Sequence, residues 1–461
     1  MAQTSTGNLI DWQTAGDETI QHLRALLRLD TRNPPGNEML TAAYLHDVLL
    51  QDGIDSVIIG PDEVRRTLVA RLHGDGSAPP LLLMCHTDVV PVEPDKWTHD
   101  PFAADIADGF IYGRGALDMK HMVAMELMTM LLLKRANVPL KRDVIFLATA
   151  DEETGGSQGV RWVAAHHPEL VQAEYALNEG GGMQVEINGR RYYTIQAAEK
   201  GGAGTRLRAR GRPGHASIPH DDNAIYKLAA ALLKLRERKP PVHLTATFRA
   251  FIEGIAQTQP PAVAQTLHSL LADEATADAA LHNLPFDESI KQQFSAMMRN
   301  TATPTILSAG NNNGVNVIPS EAEIVLDARI LPGQTPDTFW QELRQIVGED
   351  VDIEPLYGPD TPLAIAAPLE VDFSSPLVDT ITSVLKDHDP QATVIPWILT
   401  GGTDAKALAP LGVKAYGFTP VLFDGVDEVK GIHGHDERIS LRSMHWGIRI
   451  LYEVVERFAA T

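Results

Sequence analysis

The chain has 461 residues, more than a single hydrophobic core normally holds, so two domains are expected. Its formal charge of −21 at pH 7 argues against nucleic acids and anionic membranes as partners, because binding to phosphates requires clustered lysine and arginine. A single cysteine, Cys85, excludes an internal disulfide and follows an apolar run, which places it in the core. Small molecules are therefore the expected ligands.

The N-terminal segment MAQTSTGNLIDWQTAGDE lacks the basic and apolar regions of a signal peptide. The sequence also contains no uncharged apolar stretch of about 18 residues, so no membrane-spanning helix is expected. Together with the absence of disulfides, these features predict a cytoplasmic protein.

Helical and extended patterns alternate through the first 199 residues. Helices are predicted near Glu18 to Leu29 and Glu38 to Leu50. Three short apolar runs then lead into polar residues: Leu81 to Cys85 into HTD, Val144 to Ala150 into DEE, and Ala173 to Leu177 into NEGGG. This alternation predicts an α/β fold.

The polar residues after these runs are candidates for a metal site, because ligands bind beyond the carboxyl ends of the strands in open α/β sheets. The segment GRGALDMK, between the first two runs, adds Asp118 from a glycine-bracketed turn. The runs themselves lead to His86, Asp88, Glu152, Glu153 and Glu179.

These residue types suit a site for two metal ions. Two divalent ions about 3.5–4 Å apart can polarise a carbonyl and generate hydroxide from a shared water, and they need a bridging carboxylate flanked by histidine or carboxylate ligands. Asp118 is the best bridge, with His86 and Glu179 on one ion and Glu153 and His433 on the other.

Two further residues have roles beside the ligands. Glu152 is expected to act as the general base, taking a proton from the metal-bridging water and passing it to the leaving amine. Asp88 is expected to accept the imidazole N–H of His86 and so to fix the tautomer of that ligand.

The helix after GRGALDMK is predicted from Met119 to Arg135, and around Lys200 the pattern changes to a strand that enters a Gly/Pro turn. The segment inserted there contains a predicted helix at Ala224 to Arg238, an Ala-rich helical stretch from about Ala262 to Asn300, and the strands EAEIVLDARI and VDIEPLYG. The methionines of the first helix are expected to pack in the core: Met119, Met122, Met125 and Met128.

The first domain resumes at about Pro368, with helices near Ser375 to Lys386 and Ser440 to Phe458. The remaining histidines, such as His166 and His167, are expected at the surface. The predicted domains are residues 1–199 plus 368–461, and residues 200–367.

From about Leu81 to the C-terminus the chain contains, in this order, HTDVVPVEPDKWTHDPF, DGFIYGRGALDMK, ATADEETGG, GRPGHAS, NVIPSEAEIVLDARILPG and GIHGHDERIS. This set of motifs resembles the M20 metallopeptidase family, which includes aminoacylase, carnosinase, glutamate carboxypeptidase, succinyl-diaminopimelate desuccinylase and acetylornithine deacetylase. The resemblance implies a zinc-exopeptidase-like catalytic domain, α/β with a mixed, largely parallel sheet flanked by helices, and an inserted α+β lid/dimerisation domain.

The resemblance implies the same roles for the residues of the metal site. At the third strand end Asn178 precedes Glu179, which leaves Glu179 as the anionic donor. The family pattern HG-x-x-E selects His433, with Glu437 as the acid behind it, although spacing alone also allows His435. The implied metal ligands are His86, Asp118, Glu153, Glu179 and His433.

The resemblance also implies that the inserted domain contributes to catalysis. In dimeric relatives the histidine at the position of His215 reaches the partner's metals and stabilises the oxyanion, and Asn316 is expected to contact the same oxygen or the substrate. Arg329 is a candidate clamp for a substrate carboxylate, with an ion pair to Asp327 as the alternative. Further contacts to that carboxylate are expected from Gly401, Gly402 and Thr403.

The ligand types predict two divalent ions per chain, zinc first, with cobalt or manganese also suitable. The predicted reaction is hydrolysis of an amide bond next to a free carboxylate, in short peptides or N-acyl amino acids, by a homodimer joined through the inserted domain. Aminoacylase and dipeptidase or carboxypeptidase activities remain alternatives. A non-catalytic metal-binding or scaffold protein is the alternative from another class, and a serine hydrolase is a third, disfavoured possibility.

Overall fold

The computed structural model describes residues 10–310, 314–358, 367–423 and 431–460, so the N-terminal segment considered for a signal peptide lies partly outside it. The chain forms two compact units. The first contains residues 1–197, 371–396 and 403–461, and the second contains residues 198–370 and 397–402. The segment 397–402 therefore groups with the second unit, although the sequence suggested the first domain.

The helices and strands of the described residues have the following bounds. The α-helices are Trp12–Leu27, Met39–Gln51, Lys120–Arg135, Val160–His166, Pro168–Val171, Ala224–Glu237, Ala246–Ala256, Pro261–Ala272, Ala277–Asn283, Glu288–Met297, Pro336–Val347, Pro376–His388, Ala405–Leu408 and Leu441–Ala460. The strands are Ser56–Ile59, Thr67–Leu72, Leu81–His86, Ile106–Ala107, Phe110–Tyr112, Val144–Thr149, Tyr175–Asn178, Gln184–Ile187, Arg190–Glu199, Gly201–Gly202, Thr205–Arg210, Gly214–His215, Thr301–Ala309, Val317–Ile318, Glu321–Ile330, Asp352–Pro355, Leu369–Glu370, Thr393–Leu399, Lys414–Gly417 and Arg438–Ser440.

The central sheet of the first unit is mixed, with parallel strands in the middle. Two antiparallel strands lie at one side, and the innermost of them pairs with Val144–Thr149. Every residue of Leu81–His86 and Val144–Thr149 is buried, as expected for parallel strands. The predicted α/β class with a largely parallel sheet is confirmed. The parallel strands lie in the order Val144–Thr149, Leu81–His86, Tyr175–Asn178 and Lys414–Gly417.

Three long helices of the first unit, Trp12–Leu27, Lys120–Arg135 and Leu441–Ala460, pack against one another. The first begins after Asp11, whose carboxylate accepts two backbone N–H groups of the first turn and so satisfies donors that the helix leaves unpaired. Cys85 is fully buried, as predicted. The predicted methionine face is also buried in the core, and consists of Met119, Met122, Met125 and Met128.

The second unit contains an antiparallel sheet covered by helices on one face. Glu321–Ile330 lies at its centre, between Thr205–Arg210 and Thr301–Ala309. The residues of Glu321–Ile330 alternate between buried and more exposed positions, and helices Ala224–Glu237 and Pro336–Val347 pack with the buried side chains. This is the α+β arrangement predicted for the inserted domain.

The Ala-rich stretch of the second unit is helical, as predicted, but is divided into three helices between Pro261 and Met297. A further helix, Ala246–Ala256, precedes it and was not predicted. Among the described residues, no helix is long and apolar enough to span a membrane.

Candidate metal centre

The carboxyl edge of the parallel strands in the first unit carries a cluster of histidine and acidic side chains. His86 is the last residue of its strand, Glu152 and Glu153 lie just beyond the neighbouring strand, and Glu179 directly follows the third. Because the three strands are adjacent and parallel, residues beyond their carboxyl ends meet in one crevice.

Asp118 lies between two histidines in this crevice. Its Oδ1 is 3.0 Å from Nε2 of His86, and its Oδ2 is 3.0 Å from Nε2 of His433. Nε2 of His433 is also 3.3 Å from Oε2 of Glu153, and Nε2 of His86 is 3.8 Å from Oε2 of Glu179. The two oxygens of the Asp118 carboxylate thus face two different histidines, and each histidine also has a second carboxylate nearby. This is the arrangement expected of a carboxylate that bridges two metal ions.

The donor atoms are close enough to share ions. Two groups of three side chains have ligand atoms within 4.8 Å of one another, namely His86 with Glu152 and Glu179, and His86 with Asp118 and Glu153. For comparison, two ligands bound tetrahedrally to one zinc ion at about 2.1 Å lie about 3.4 Å apart. Glu152, which the sequence assigned to proton transfer, therefore lies directly beside the proposed ligands.

The crevice concentrates negative charge in a buried environment. Burial raises the pKa of Glu152 well above its usual value, and the charge of Glu179 raises it further. Burial also raises the pKa of Glu179. Burial acts in the same direction on Asp118, but hydrogen bonds with the two histidines outweigh it and lower the pKa of that carboxyl. Divalent cations bound here would compensate the negative charge of these buried carboxylates.

The side chains fit divalent ions in a second respect. Oε1 of Glu153 is buried and has no hydrogen-bond partner among the described residues, as expected of a carboxylate that binds a cation. The crevice offers imidazole nitrogens and carboxylate oxygens, a donor set that suits zinc and also cobalt or manganese. The residues present therefore fit a site for divalent metal ions.

Asp88 contacts His86 through its main-chain oxygen, whereas a contact through its carboxylate was predicted from the sequence. Nδ1 of His86 lies 3.0 Å from the main-chain oxygen of Asp88, whereas the carboxylate that was expected to accept this hydrogen is 3.5 Å away. Because a carbonyl oxygen can only accept, Nδ1 carries the hydrogen and Nε2 keeps its lone pair for a ligand role. The Asp88 carboxylate instead accepts the backbone N–H groups of Glu152 and Glu153, both at 3.1 Å.

Glu437 was expected behind His433 but holds the turn that carries Asp118. Its buried carboxylate accepts three backbone N–H groups of that turn at 2.7–3.1 Å, including that of Asp118, and pairs with Arg114. The short strand after Glu437 pairs with Phe110–Tyr112, the strand before the turn, and this pairing brings the two segments together. The sequence motif identified Glu437, but its spacing could not show this contact.

The two histidines of HGHDE have different surroundings. His433, in a left-handed backbone conformation with φ of 58°, contacts Asp118 and Glu153. Nε2 of His435 lies 3.2 Å from Oε2 of Glu93, and both side chains are exposed. His433 is thus the histidine of this pair that lies among the proposed ligands.

His215 lies in a two-stranded antiparallel sheet of the second unit, and Asn316 directly precedes the other strand of this sheet. His215 pairs with Val317, and the N–H of Ala216 donates to the main-chain oxygen of Asn316 at 2.9 Å. Nδ1 of the exposed His215 ring accepts the backbone N–H of Ser217 at 3.2 Å, so Nε2 is the ring nitrogen that carries a hydrogen. That nitrogen has the donor character needed to stabilise an oxyanion.

Arg329 forms an ion pair with Asp327 in the strand Glu321–Ile330. The Nε–Oδ1 distance is 2.7 Å and the distance from the terminal nitrogen to Oδ2 is 3.2 Å. This is the alternative that the sequence left open. Both side chains are more than a third exposed, so the pair contributes little to stability and can exchange for another carboxylate.

The LTGGTDAK segment crosses the division between the units, with Gly401 and Gly402 in the second and Thr403 in the first. The hydroxyl of Thr403 accepts a hydrogen bond from Nδ2 of Asn178 at 3.0 Å and one from the N–H of Ala405 at 3.2 Å. Because both bonds use the oxygen as an acceptor, the hydroxyl hydrogen remains available to donate.

Sequence reasoning missed Asp404, which is buried in the first unit. Oγ1 of Thr149 donates to its Oδ2 at 2.8 Å, and burial raises its pKa to about 7. Asp404 lies five residues beyond the end of the strand Thr393–Leu399, after Thr400, two glycines and Thr403, so a rule that takes the polar residues directly after an apolar run did not identify it.

Comparisons with known proteins identify the family of this chain. The model of peptidase family M20/M25/M40 matches residues 82–457. Human N-fatty-acyl-amino acid synthase/hydrolase PM20D1 is 30% identical over 389 residues, which cover 83% of this chain and 74% of that protein. Human aminoacylase-1 is 27% identical over 436 residues, which cover 90% of this chain and 89% of that protein.

A solved structure shows the same fold. The M20 family metallo-carboxypeptidase Sso-CP2 from Sulfolobus solfataricus matches with a TM-score of 0.70 at 18% identity, covering 96% of this chain and all of that one. The family match extends over every proposed ligand of the crevice. The chain therefore belongs to peptidase family M20/M25/M40 and is a metal-dependent amide hydrolase.

Proposed function

We propose that this enzyme hydrolyses the amide bond next to a free carboxylate in N-acyl amino acids or short peptides. The observation that carries the proposal is the position of Asp118 between His86 and His433, with a further carboxylate beside each histidine. Two relatives are named for acyl-amino acid and aminoacylase activities, and a structural neighbour is a carboxypeptidase. N-acyl amino acids are therefore the first substrates to test.

We assign one divalent ion to His86, Asp118 and Glu179, and a second to Asp118, Glu153 and His433. The short distances between the imidazole nitrogens and the carboxylate oxygens support this assignment. Zinc suits the donor set best, with cobalt or manganese as alternatives. When bound, such ions polarise a scissile carbonyl and lower the pKa of water.

Glu152 is the proposed general base. Its carboxylate accepts a proton from water as the water oxygen attacks the carbonyl carbon, and returns it to the nitrogen as the carbon–nitrogen bond breaks. The products are a carboxylic acid and an amine. The hydrogen bond from the N–H of Glu152 to Asp88 supports this role, because it fixes the backbone from which the carboxylate extends.

The second unit is proposed to supply contacts to the substrate. His215 would donate from Nε2 to the oxyanion that develops in a partner subunit, with Asn316 beside it, and Arg329 would leave Asp327 to bind the substrate carboxylate. Both assignments rest on the family resemblance, supported by the tautomer of His215 and the exposed position of Arg329. The proposed contacts to the substrate carboxylate also include Gly401, Gly402 and Thr403.

A homodimer joined through the inserted domain is also proposed. The strand Thr301–Ala309 pairs on one side with Glu321–Ile330, and no other strand of the described chain pairs with it. Ile306 and Leu307 of this strand are 62% and 65% exposed. An edge strand with exposed apolar side chains readily pairs with another chain, which supports an interface here.

The experiment that tests the proposed function compares N-acyl amino acids, dipeptides and their carboxyl amides as substrates of the zinc-loaded enzyme. We expect turnover of the free acids and a loss of at least about a hundredfold in Glu152→Gln. Glu169→Gln, at an exposed glutamate outside the crevice, is the matched control and should keep wild-type activity.

Three outcomes of this experiment would contradict parts of the proposed function. Equal turnover of acids and amides would contradict the carboxylate clamp at Arg329, and full activity of Glu152→Gln would contradict its role as base. The best substrate distinguishes aminoacylase from dipeptidase activity. Failure to hydrolyse any of these substrates with two metal ions bound would contradict the proposed substrate class.

A further inference from the structure

A buried polar cluster lies next to the turn that carries Glu152. Its members are at most 6% exposed and comprise three carboxylates, one guanidinium and one amide. Groups of this kind remain buried at low cost only when their hydrogen bonds are satisfied, so their arrangement is tightly constrained. The cluster consists of Asn33, Glu38, Arg65, Asp88 and Asp151.

The side-chain amide of Asn33 joins the two sides of the cluster. Its Nδ2 lies 2.8 Å from Oδ2 of Asp88, 3.2 Å from Oδ1 of Asp151 and 3.1 Å from Oγ1 of Thr154. Its Oδ1 accepts a hydrogen bond from Arg65 at 3.1 Å. Because a guanidinium can only donate, Arg65 determines which end of the amide faces the carboxylates.

Arg65 uses both terminal nitrogens of its guanidinium as donors within the cluster, while its Nε forms an ion pair with Glu38 but no hydrogen bond with any residue that the structure describes. One terminal nitrogen donates to Asp151 at 2.6 Å, the other donates to Asn33 and to the main-chain oxygen of Pro35, and Nε lies 3.0 Å from Oε2 of Glu38. A lysine ammonium could not reach these partners in one plane. Arg65 therefore sets the relative positions of Asp151, Asn33 and Glu38.

Asp151 itself has an unusual backbone. Its φ is 69°, a left-handed conformation that residues other than glycine keep only when their surroundings hold it. Its N–H donates to Oε1 of Glu38 at 3.3 Å, and its Oδ2 accepts from Ser157 and from the N–H of Gln158 at 3.0 and 2.8 Å. The cluster thus holds both ends of the turn that begins at Glu152.

We propose that Arg65 and Asn33 are positioning residues for hydrolysis. Arg65 orients the amide of Asn33, Asn33 fixes the carboxylate of Asp88, and Asp88 holds the N–H groups of Glu152 and Glu153. The inference rests on the proposed function in taking Glu152 as the base. It adds that a chain of hydrogen bonds through the buried cluster determines where the carboxylate of Glu152 lies.

The test compares Asn33→Ala and Arg65→Met with Arg66→Met, the adjacent and partly exposed arginine, as control. In folded, zinc-loaded protein we expect kcat to fall about 10- to 100-fold in the first two variants, with KM within about twofold and two ions still bound. Hydrogen exchange should become faster in residues 151–158 but not in strand 81–86. Arg66→Met should behave like the wild type in both measurements.

A purely structural role predicts a different pattern. In that case the thermal midpoint falls, kcat per folded chain stays near the wild-type value and exchange rises equally in both segments, which would overturn the proposal. If Arg65→Met does not fold, Asn33→Ala alone decides, because it leaves the ion pairs of Arg65 in place. If Glu152→Gln keeps its activity, the assignment of the base fails, while the exchange measurement still decides whether the cluster holds the turn.

Discussion

Replacing Glu437 by glutamine would remove the support of the turn that carries Asp118. The N–H groups of Leu117 and Asp118 both donate to Oε1 of Glu437, whereas Arg114 and the N–H of Gly115 donate to Oε2. A glutamine has an oxygen at only one of these positions, so its NH2 group faces two donors at the other. The substitution keeps the shape of the side chain but replaces one of its two hydrogen-bond-accepting oxygens by a donor group.

The expected cost follows from burial. The side chains of Arg114 and Glu437 are 3% and 0% exposed, so Arg114 would lose its countercharge without gaining contact with water. Removing one partner of a buried ion pair costs about 3–5 kcal/mol of unfolding free energy. For a first unit of roughly 280 residues, this corresponds to a fall in Tm of about 5–8 °C.

Thermal and urea unfolding of chelator-treated protein measure this cost without a contribution from metal binding. Glu93→Gln is the matched control, since the pair of Glu93 with Lys96 is more than half exposed and its loss should leave the midpoint unchanged. A Glu437→Gln variant that unfolds within about 1 °C of the wild type would refute the view that this buried pair holds the turn.

Three further predictions follow from other parts of the chain. Ile306→Lys should convert a dimer to monomers in sedimentation experiments, whereas Val57→Lys, on an edge strand of the first unit, should not. Burial lowers the pKa of Lys200 from 10.5 to about 7, so the folded state binds fewer protons than the unfolded state between these values. The free energy of unfolding should therefore rise with pH in this window by about 1.4 kcal/mol per pH unit relative to that of Lys200→Met. If the free energies of unfolding of the two proteins change in parallel between pH 7 and 10, this prediction is wrong. His433→Ala should lose one of two bound ions by elemental analysis, while His435→Ala should keep both.

Much of the crevice could be predicted because a single topological rule governs it. Apolar runs identify buried strands, parallel strands place their carboxyl ends at one edge, and the polar residues just beyond each strand lie at the crevice. His86, Glu153 and Glu179 follow from this rule without knowledge of any loop. His433 does not, because it lies in a loop distant in sequence, where the family pattern HG-x-x-E was needed to choose it over His435.

The buried cluster around Arg65 could not be predicted in this way. Asn33 and Arg65 are 32 residues apart and contact Asp151 more than 80 residues further along the chain. Neither residue follows an apolar run or belongs to a periodic pattern. Their partners are fixed by how the loops fold back on the sheet, and side-chain type and spacing do not reveal that path.

The strand Thr301–Ala309 was missed for a different reason. Its residues are largely exposed, so the alternation of apolar and polar positions that marks a half-buried strand is absent. Pro304 also argues against a strand, because proline cannot donate to a ladder. The structure accommodates Pro304 on an edge strand, with an irregular register between Pro304 and Ile306.

Folding and metal binding act on the same groups in this enzyme. Burial raises the pKa of Glu152 and Glu179, which means that the folded chain resists carrying all of its crevice carboxylates charged. Cations bound among these side chains offset the repulsion between the charged carboxylates. A ligand that binds only the folded state also stabilises that state, by about 2.7 kcal/mol when its concentration is a hundred times its dissociation constant. The backbone hydrogen bonds to Asp88 and Glu437 are accepted by carboxylates that are not assigned to an ion, so these carboxylates can hold the segments that carry the ligands. The sequence thus separates two tasks: buried acceptors fix the geometry of the crevice, and the metal ions balance its charge.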